Sequence, residues 1–314
     1  MKFITLTLNP ALDMNVSLSA PLVTDGLNRS DAASFSPGGK GINVSRALRA
    51  LGVDSDAVCI LGGFTGAKVK NRLAEEGVRV RAISTTAETR LNLSIVTPDG
   101  QQCEINNPPG CSGGNTAIRP AEETAELLLK VRLMLRRLIE QSGGEPTAVI
   151  LAGSIPPDMP KNAYAMLIEM CRRLGALTVC DCDGDALRYA LSAHPDYIKP
   201  NLSELSGLTE RRLTPEQIPA AAAEICVTTG GDTAVLATAG EHGAYLCRGQ
   251  EQFSAPGARV ERVRTLKGAG DTFLAAFLAA HYNQGMKERA ALKYAAVAAA
   301  KKIETPGGAY PDLR

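Results

Sequence analysis

The sequence predicts an α/β fold: a mainly parallel sheet with helices on both faces, and a small second sheet beside it. From residue 120 onward, short apolar runs that suit buried strands alternate with stretches whose apolar residues recur at helical spacing. In contrast, residues 78–106 contain three strand-like runs with no helix between them. Together with strands in about 13–36, these runs would form a small sheet that acts as a lid and excludes water from a reaction.

Hydrophobic spacing defines the first elements. Residues 3–8 form a short apolar run, whereas residues 14–18 and 32–36 alternate between apolar and polar side chains, as half-exposed strands do. Residues 44–51 place apolar side chains at i, i+3, i+4 and i+7, which indicates a helix. The chain therefore begins with strands that lead into a helix of the main layer.

Turn chemistry separates the later elements. Thr97-Pro98-Asp99-Gly100 joins two strands, and Thr214-Pro215 supplies an N-cap and a first helical residue. The predicted strands are 3–8, 14–18, 32–36, 56–61, 78–84, 90–96, 102–106, 148–152, 177–181, 197–199, 234–238, 244–247 and 252–255. The first predicted helix ends at residue 51, and two later ones begin near residues 201 and 214. The other predicted helices cover 65–76, 120–141, 162–174, 184–191, 269–283 and 286–302.

Composition excludes several classes of function. The chain has 314 residues, enough to bury a large core, and its net charge of +1 favours neither nucleic acid nor an anionic membrane as a partner. No apolar stretch is long enough to cross a bilayer, and the N-terminal apolar run is too short for a signal peptide. Eight cysteines are scattered without a CxxC pair, which is typical of reduced thiols and predicts a cytoplasmic protein.

Gly268-Ala269-Gly270-Asp271 places three very small residues and a carboxylate directly at the start of a predicted helix. Unpaired N–H groups and the positive dipole at a helix N-terminus attract anions, and small residues let a phosphate approach the backbone. A carboxylate there suits a base that takes a proton from a hydroxyl attacking phosphorus. A plain helix N-cap explains Asp271 equally well, and this turn alone leaves both interpretations open.

A second glycine-rich turn, Gly38-Gly39-Lys40-Gly41, opens the first predicted helix. Glycines around a lysine at a helix start favour an anion, although a linker before a helix would look similar. Asp13 follows the first strand, at the end where α/β proteins place ligand contacts. Taken by itself, Asp13 is explained as readily by a turn after Pro10.

These motifs together resemble those of the ribokinase-like carbohydrate kinases of the PfkB type, over essentially the full chain. The resemblance rests on Gly38-Gly39-Lys40-Gly41-Ile42-Asn43, Asn201-x-x-Glu204 and Gly268-Ala269-Gly270-Asp271, in the family's order and spacing. Residues 7–13 and 89–92 are similar to the branch that phosphorylates ketohexose phosphates, which includes 1-phosphofructokinase, tagatose-6-phosphate kinase and the minor 6-phosphofructokinase. The resemblance implies one ribokinase-like domain over residues 1–314, with ATP and Mg²⁺ as cofactors.

The resemblance also implies a role for each motif residue. Asp271 would be the base, and Gly268, Ala269 and Gly270 would donate N–H bonds to the transferred phosphoryl group, each typically worth ~3–4 kcal/mol. The expected nucleotide-binding residues are Lys199, Asn201, Thr238, Gly240 and Gly243. The expected substrate-binding residues are Asp13, Gly39, Asn43 and Asn92 for the sugar, with Lys40 and Arg90 for the phosphate that the substrate already has.

Asn201 and Glu204 lie one helical turn apart and so share a face of a helix. The resemblance implies that they hold Mg²⁺, directly or through water. The same pair also reads as a helix N-cap with its capping-box partner, and both interpretations can hold together.

Three positions depart from the family pattern. Lys267 stands where relatives usually have a small apolar residue, Ala152 replaces a frequent serine, and the segment Gly110–Asn115 has extra glycine and serine without an assigned role.

The leading hypothesis is an ATP-dependent kinase that converts fructose 1-phosphate to fructose 1,6-bisphosphate, with small molecules as its only predicted ligands. The alternatives are tagatose 6-phosphate or fructose 6-phosphate as substrate, then a neutral sugar or nucleoside, then a non-catalytic sugar-phosphate-binding protein. A dinucleotide oxidoreductase is disfavoured because Phe273 stands where the third glycine of its fingerprint is needed. A homodimer formed through the lid is expected because the lid sheet would leave one apolar face uncovered.

Overall fold

A nine-stranded sheet forms the centre of the protein. The computed structural model describes residues 1–107, 119–306 and 308–314. The sheet consists of β1 (Lys2–Thr7), β4 (Ser55–Leu61), β5 (Arg79–Ser84), β8 (Thr147–Ala152), β9 (Leu177–Asp181), β10 (Tyr197–Ile198), β11 (Ala234–Thr238), β12 (Ala244–Arg248) and β13 (Glu251–Ala255). Its strand order is β13-β12-β11-β10-β9-β8-β1-β4-β5, and only β12 and β13 run antiparallel to their neighbours.

A separate four-stranded sheet, called the small sheet below, has the order β3-β2-β6-β7. Its strands are β2 (Ala11–Leu18), β3 (Ser30–Gly38), β6 (Arg90–Val96) and β7 (Gln102–Asn106). Strands β2 and β6 are parallel, with Asp13 opposite Asn92, while β3 and β7 flank them in antiparallel orientation. The sequence-based prediction of a small second sheet is therefore confirmed, and it contains the predicted runs at 14–18, 32–36, 90–96 and 102–106. The run predicted at 78–84 instead pairs with β4 at the edge of the large sheet.

Helices cover both faces of the large sheet. They are α1 (Lys40–Ala50), α2 (Gly63–Glu75), α3 (Ala121–Glu140), α4 (Ala163–Arg173), α5 (Gly184–Ser192), α6 (Leu202–Thr209), α7 (Ile218–Thr228), α8 (Ala269–Leu278) and α9 (Glu288–Ile303). On one face, α3 to α7 pack in a cluster that includes Ile4 and Val149; on the other, α1, α8 and α9 pack in a cluster that includes Phe3 and Ala148. Adjacent strand residues thus enter opposite core layers, as the two-residue period of a strand requires.

The predicted elements agree with the structure to within a few residues, with two differences. The helix predicted at 269–283 is α-helical only to Leu278 and continues as a wider helical turn over Ala279–Asn283. Gly285 follows this turn with a left-handed φ of 69°. A short 3₁₀ turn, Pro215–Gln217, precedes α7. The segment Gly110–Asn115 lies outside the described residues. Within the described ranges, no helix is long and apolar enough to cross a membrane.

Close packing of α1 against β1 fixes the position of the first glycine-rich turn. A Cβ atom on Gly41 would lie 2.5 Å from the backbone oxygen of Leu6, so α1 can approach the strand this closely only because Gly41 has no side chain. We expect Gly41→Ala to lower the free energy of unfolding by about 1–3 kcal/mol, measured by urea denaturation.

The matched control is Gly207→Ala within α6, where nothing lies within 4 Å of the added carbon. This change should raise the free energy of unfolding by about 0.5–1 kcal/mol, because alanine favours the helix. Equal effects of the two substitutions would contradict the packing argument.

Candidate active site

Asp271 lies in the first turn of α8 and is buried, with 7 % of its side chain exposed. Asn43 Nδ2 donates a hydrogen bond to Asp271 Oδ2 at 2.8 Å, so α1 and α8 meet at this carboxylate. Gly268 precedes the helix with a φ of 78°, a left-handed conformation that favours glycine. The two glycine-rich motifs, more than 200 residues apart in sequence, therefore form one site.

Burial and, after it, the negative charge of Asp181 raise the pKa of Asp271 to about 6. The hydrogen bond from Asn43 and the charges of Lys40 and Lys199 act in the opposite direction. A carboxyl group with this pKa is mostly ionised at neutral pH, yet it is a stronger base than an ordinary aspartate. These are the properties of a general base.

The backbone of α8 leaves N–H groups available beside Asp271. Ala269 N–H donates to Leu266 O at 3.3 Å, and Thr272 donates to Gly268 O through both its N–H and its hydroxyl. Among the described residues, the N–H groups of Gly268, Gly270 and Asp271 have no backbone partner. Binding of an anion by this turn remains a prediction. The N–H group of Ala269 is less available to an anion than those of Gly268 and Gly270, because it already donates to Leu266 O.

Asp181 is the centre of a charged network beneath the turn. Lys40 Nζ lies 2.9 Å from Asp181 Oδ1 and 3.2 Å from Glu204 Oε1, and Lys199 Nζ lies 3.1 Å from Asp181 Oδ2. Burial would raise the pKa of Asp181, but the charges of Lys199 and Lys40 outweigh this effect and hold it below its ordinary value. Two ammonium groups thus keep a fully buried carboxylate ionised.

Lys40 occupies a different environment from the one predicted for a residue that grips the substrate's phosphate. Its ammonium group is held between Asp181 and Glu204, and the charge of Asp271 also acts on it. Burial lowers the pKa of Lys40, but these carboxylates raise it above its ordinary value. The structure therefore places Lys40 beside Asp181 and beside Glu204, one of the residues predicted for Mg²⁺.

Asp13 lies at the start of the small sheet and is 3 % exposed. Asn92 Nδ2 donates to Asp13 Oδ1 at 2.9 Å, and Lys267 Nζ lies 2.9 Å from Asp13 Oδ2. A Cβ atom on Gly38 would lie 2.5 Å from the same carboxylate, so only glycine fits at that position. Asp13 is consequently a fixed, buried acceptor rather than a solvent-exposed turn residue.

Arg90 lies two residues before Asn92 on β6, so both side chains share one face of the small sheet. Arg90 Nη2 donates to Asn9 O at 3.3 Å, and its buried Nε has no partner among the described residues. Burial lowers the pKa of Arg90, an effect that the charge of Asp13 partly offsets. The recess beside Arg90 has a volume of only about 20 Å³.

The residues predicted for the nucleotide follow the ends of β10 and β11. Asn201 caps α6 and forms an isolated bridge with Thr238, which brings the two strand ends together. Gly240 begins a short turn with open space around it. In contrast, a Cβ atom on Gly243 would collide with Ala255 O, so this glycine is explained by packing against β13 without a nucleotide.

Asn201 and Glu204 form the capping box that the sequence suggested. Glu204 N–H donates to Asn201 Oδ1 and Asn201 N–H donates to Glu204 Oε2, both at 2.9 Å. Within the described ranges, no group of three or more acidic, histidine or cysteine side chains could hold a metal ion. The pair is therefore explained as a helix cap, and its role toward Mg²⁺ stays a prediction.

A polar cavity of about 310 Å³ extends from Asp13 and Asn43 to Gly268, between the small sheet and the C-terminal segment. It is large enough for a hexose phosphate. Gly39 adopts a φ of 117° at the start of α1, which turns the chain beside this cavity. Of the predicted sugar-binding residues, Asp13 and Asn43 line this cavity, and Asn43 is hydrogen-bonded to Asp271.

Three residues of the site were missed by sequence reasoning: Asp181, Lys302 and Tyr310. Asp181 ends a buried strand, the same signal that singled out Asp13, and could have been found in that way. Lys302 and Tyr310 lie in the C-terminal region beside Gly268, where no local pattern marks them. Their role depends on contacts between distant segments.

The fold and the site together show an α/β protein with a buried carboxyl group in the first turn of a helix that opens on a glycine-rich motif, close to a cavity of about 310 Å³. Residues 9–313 match the pfkB family carbohydrate kinase. The chain is 33% identical over 311 residues to a 1-phosphofructokinase of Haloferax volcanii, covering 99% of this chain and 93% of the relative. It is 34% identical over 275 residues to a 1-phosphofructokinase of Bacillus subtilis, covering 88% and 84%.

A crystal structure of phosphofructokinase-2 from Escherichia coli has the same fold, with a TM-score of 0.85 and 26% identity, covering 99% of this chain and 96% of that one. The protein therefore belongs to the pfkB family of carbohydrate kinases. The predictions of the family and of the ribokinase-like fold are confirmed.

The electrostatic description predicts how the pKa of Asp271 responds to its neighbour. Asp181→Asn removes a negative charge and leaves the positive charges of Lys40 and Lys199, so the pKa of Asp271 should fall below about 6. Carbon-13 NMR titration of the aspartate carboxyl groups, assigned with Asp271→Asn, measures this shift.

Asp56→Asn is the matched control, because Asp56 is also buried but lies at the opposite edge of the sheet, near Lys2 and Arg81. The pKa of Asp271 should stay at about 6 in this variant. An unchanged or higher pKa in Asp181→Asn would contradict the electrostatic account.

Proposed function

We propose that the protein transfers the terminal phosphoryl group of ATP to a hydroxyl of a ketohexose monophosphate, converting fructose 1-phosphate to fructose 1,6-bisphosphate. The observation that carries this proposal is Asp271, a buried carboxyl group with a pKa of about 6 at the N-terminus of α8. It lies close to a cavity of about 310 Å³ that is lined by Asn43, its hydrogen-bond partner. The two relatives named 1-phosphofructokinase support the choice of substrate.

The chemistry is a single in-line displacement. The sugar hydroxyl gives its proton to the carboxylate of Asp271 while its oxygen forms a bond to the terminal phosphorus of ATP. The bond from that phosphorus to the bridging oxygen breaks, and ADP leaves with the electron pair. Asn43 orients the carboxylate through its hydrogen bond at 2.8 Å. The N–H groups of Gly268 and Gly270 would stabilise charge on the transferred group.

Lys199 and Lys40 support the nucleotide side of this reaction. Lys199 Nζ lies 3.5 Å from the position of a Cβ atom on Gly270, so its ammonium group is directly beneath the turn. Lys40 Nζ forms ion pairs with Asp181 and Glu204. These two cations would attract the phosphates of ATP, with Thr238 and Gly240 beside the rest of the nucleotide.

We treat Mg²⁺ as part of the substrate MgATP. Both carboxylate oxygens of Glu204 already have partners, in Lys40 and in the N–H group of Asn201. These residues therefore fit contact through water better than direct binding. When bound, Mg²⁺ would neutralise charge on the nucleotide phosphates, and Glu204 would orient its water shell.

The small sheet would act as the lid of one domain formed by residues 1–314. Leu22, Val23, Leu27 and Ile105 are exposed apolar side chains on or beside this sheet. A second copy of the chain could cover them, which supports a homodimer formed through the lids. Cys180 and Cys182 remain unbonded although their sulfurs lie 3.4 Å apart, in keeping with a reducing cytoplasm.

A coupled assay of ADP release tests the proposed substrate. Fructose 1-phosphate should give the highest kcat/KM in a panel with fructose 6-phosphate, tagatose 6-phosphate, free fructose, ribose and a nucleoside. Preference for a free sugar or nucleoside would assign a neutral substrate instead. Absence of ATP turnover across the whole panel would leave only a binding function.

Asp271→Asn tests the proposed base. Loss of the proton acceptor should lower kcat by about 10²–10⁴-fold or more, with KM for ATP nearly unchanged. In the wild type, kcat/KM should fall as the pH decreases through about 6, because the carboxylate becomes protonated. Asp54→Asn, an exposed residue before β4, serves as the control and should retain full activity. A fully active Asp271→Asn variant would refute the mechanism.

A further inference from the structure

Lys302, in the last turn of α9, is buried beside the turn that begins α8. Its side chain is 2 % exposed, and its Cε atom lies 3.4 Å from the position that a Cβ atom on Gly268 would take. Both residues line the cavity of about 310 Å³, so the ammonium group can reach a ligand there. Among the described residues, no carboxylate forms an ion pair with this ammonium group. Lys302 thus places a positive charge at the turn that the sequence predicted to bind an anion.

Backbone hydrogen bonds fix the end of α9 to the chain segment that leads into this turn. The N–H groups of Arg264 and Thr265 both donate to Ile303 O, at 2.9 and 3.1 Å. The negative end of the α9 dipole also favours a cation in the last turn, where Lys302 lies. The position of Lys302 relative to the turn is therefore set by contacts between two backbone segments.

Tyr310, in the C-terminal segment, packs beside Lys302. The centroid of its ring lies 5.2 Å from Lys302 Nζ and 4.7 Å from Arg46 Cζ. Its hydroxyl oxygen lies 3.0 Å from the Cβ position of Gly268 and has no hydrogen-bond partner in the described part of the chain. A buried polar group without a partner costs free energy. An oxygen of a phosphoryl group at this turn would be a favourable partner for the hydroxyl and for the ammonium group.

The surroundings of Lys302 make its positive charge unfavourable in the absence of a ligand. Burial and, after it, the charge of Arg46 lower the pKa of Lys302 to about 8, while the charge of Asp271 acts in the opposite direction. The groups that face the ammonium group are thus Arg46 from α1, Asp271 from α8 and Tyr310 from the C-terminal segment. At neutral pH the amine is mostly protonated, and a bound anion would pair with its charge.

We propose that Lys302 stabilises the negative charge of the phosphoryl group during its transfer, together with the N–H groups of the turn that begins α8. This inference rests on the proposed function and adds a residue to its reaction. The transferred group carries negative charge on its three equatorial oxygens, and a cation that is already fixed beside them lowers the barrier without reorganisation.

A comparison of the two lysines at this turn supports the role of Lys302. Lys199 Nζ lies 3.5 Å from the Cβ position of Gly270, but it already pairs with Asp181 at 3.1 Å. Lys302 approaches the turn at Gly268, from the side of the cavity, and has no such carboxylate among the described residues. The charge of Lys199 is therefore balanced within the protein, whereas the charge of Lys302 is available to the phosphoryl group.

Steady-state kinetics of the full chain separate a role in transfer from a role in binding. Lys302→Met keeps the length and apolar packing of the side chain but removes its charge. It should lower kcat about 10–100-fold, as loss of an interaction with a charged group predicts. KM for ATP and KM for fructose 1-phosphate should stay within about threefold, because the missing charge acts mainly on the group in transfer. Every other sugar phosphate that the wild type accepts should show the same loss of kcat.

The pH dependence provides a readout that a merely structural role would not change. In the wild type, kcat/KM should fall as the pH rises through about 8, because Lys302 of the free enzyme loses its proton. Lys302→Met should lack this decrease and keep the decrease below about 6 that belongs to Asp271. Lys302→Arg stays charged over this range, so it should also lack the decrease at high pH and should retain more of kcat than the methionine variant.

Lys301→Met is the matched control, because Lys301 is the exposed neighbour on the same helix. This variant should keep kcat, both KM values and both decreases in the pH profile. If Lys302→Met fails to fold, the pH profile of the wild type still tests the proposal. The proposal is overturned if folded Lys302→Met keeps kcat, if it changes only KM for fructose 1-phosphate, or if wild-type kcat/KM does not fall between about pH 7 and pH 9.

Binding of inorganic phosphate replaces kinetics as the test if the wild type transfers no phosphoryl group to any sugar phosphate. Phosphorus-31 NMR titration then compares the wild type with Lys302→Met at neutral pH. Binding that is about tenfold or more weaker in the variant would support the anion site although the kinase assignment had failed. Equal binding, or no binding by the wild type, would overturn the site as well.

Discussion

The site depends on a balance between buried carboxylates and ammonium groups at one edge of the large sheet. Asp181 and Asp271 are both buried there, and the charges of Lys40 and Lys199 lower the pKa of both carboxyl groups. The two lysines favour Asp181, which they hold ionised, while Asp271 retains a raised pKa. Asp181 therefore pairs with both ammonium groups, and Asp271 keeps the raised pKa that suits a base.

Backbone geometry brings these charges together. Gly41 lets α1 pack against β1, and the same helix carries Asn43 to Asp271 and Lys40 to Asp181. Gly38 leaves room for the carboxylate of Asp13 where the small sheet meets the large one. The glycines of the first motif are thus required by close approach within the protein, in addition to any approach of a phosphate. Hydrophobic clusters on both faces of the large sheet support the strands and helices that carry the site.

Much of the fold could be predicted from the sequence, because strand and helix periods and turn residues are local signals. The site could be predicted only in part. Asn43 and Asp13 line one cavity, and Asn43 is hydrogen-bonded to Asp271. Lys40 instead contacts Asp181, a partner 141 positions away that no local pattern reveals. Lys267, noted only as a departure, proved to pair with Asp13. Lys302 appears in sequence as an ordinary basic residue at a helix end, and only tertiary burial distinguishes it from Lys301.

In the proposed reaction, the carboxylate of Asp271 faces the reacting hydroxyl while the N–H groups at the start of α8 face the transferred phosphate. A crystal structure with fructose 1-phosphate and a non-hydrolysable ATP analogue would reveal both contacts. A carboxylate oxygen of Asp271 should lie about 2.6–3.2 Å from the C6 hydroxyl, with the terminal phosphate on the amides at Gly268–Gly270. A C6 hydroxyl that points away from Asp271, or a terminal phosphate bound elsewhere, would contradict it.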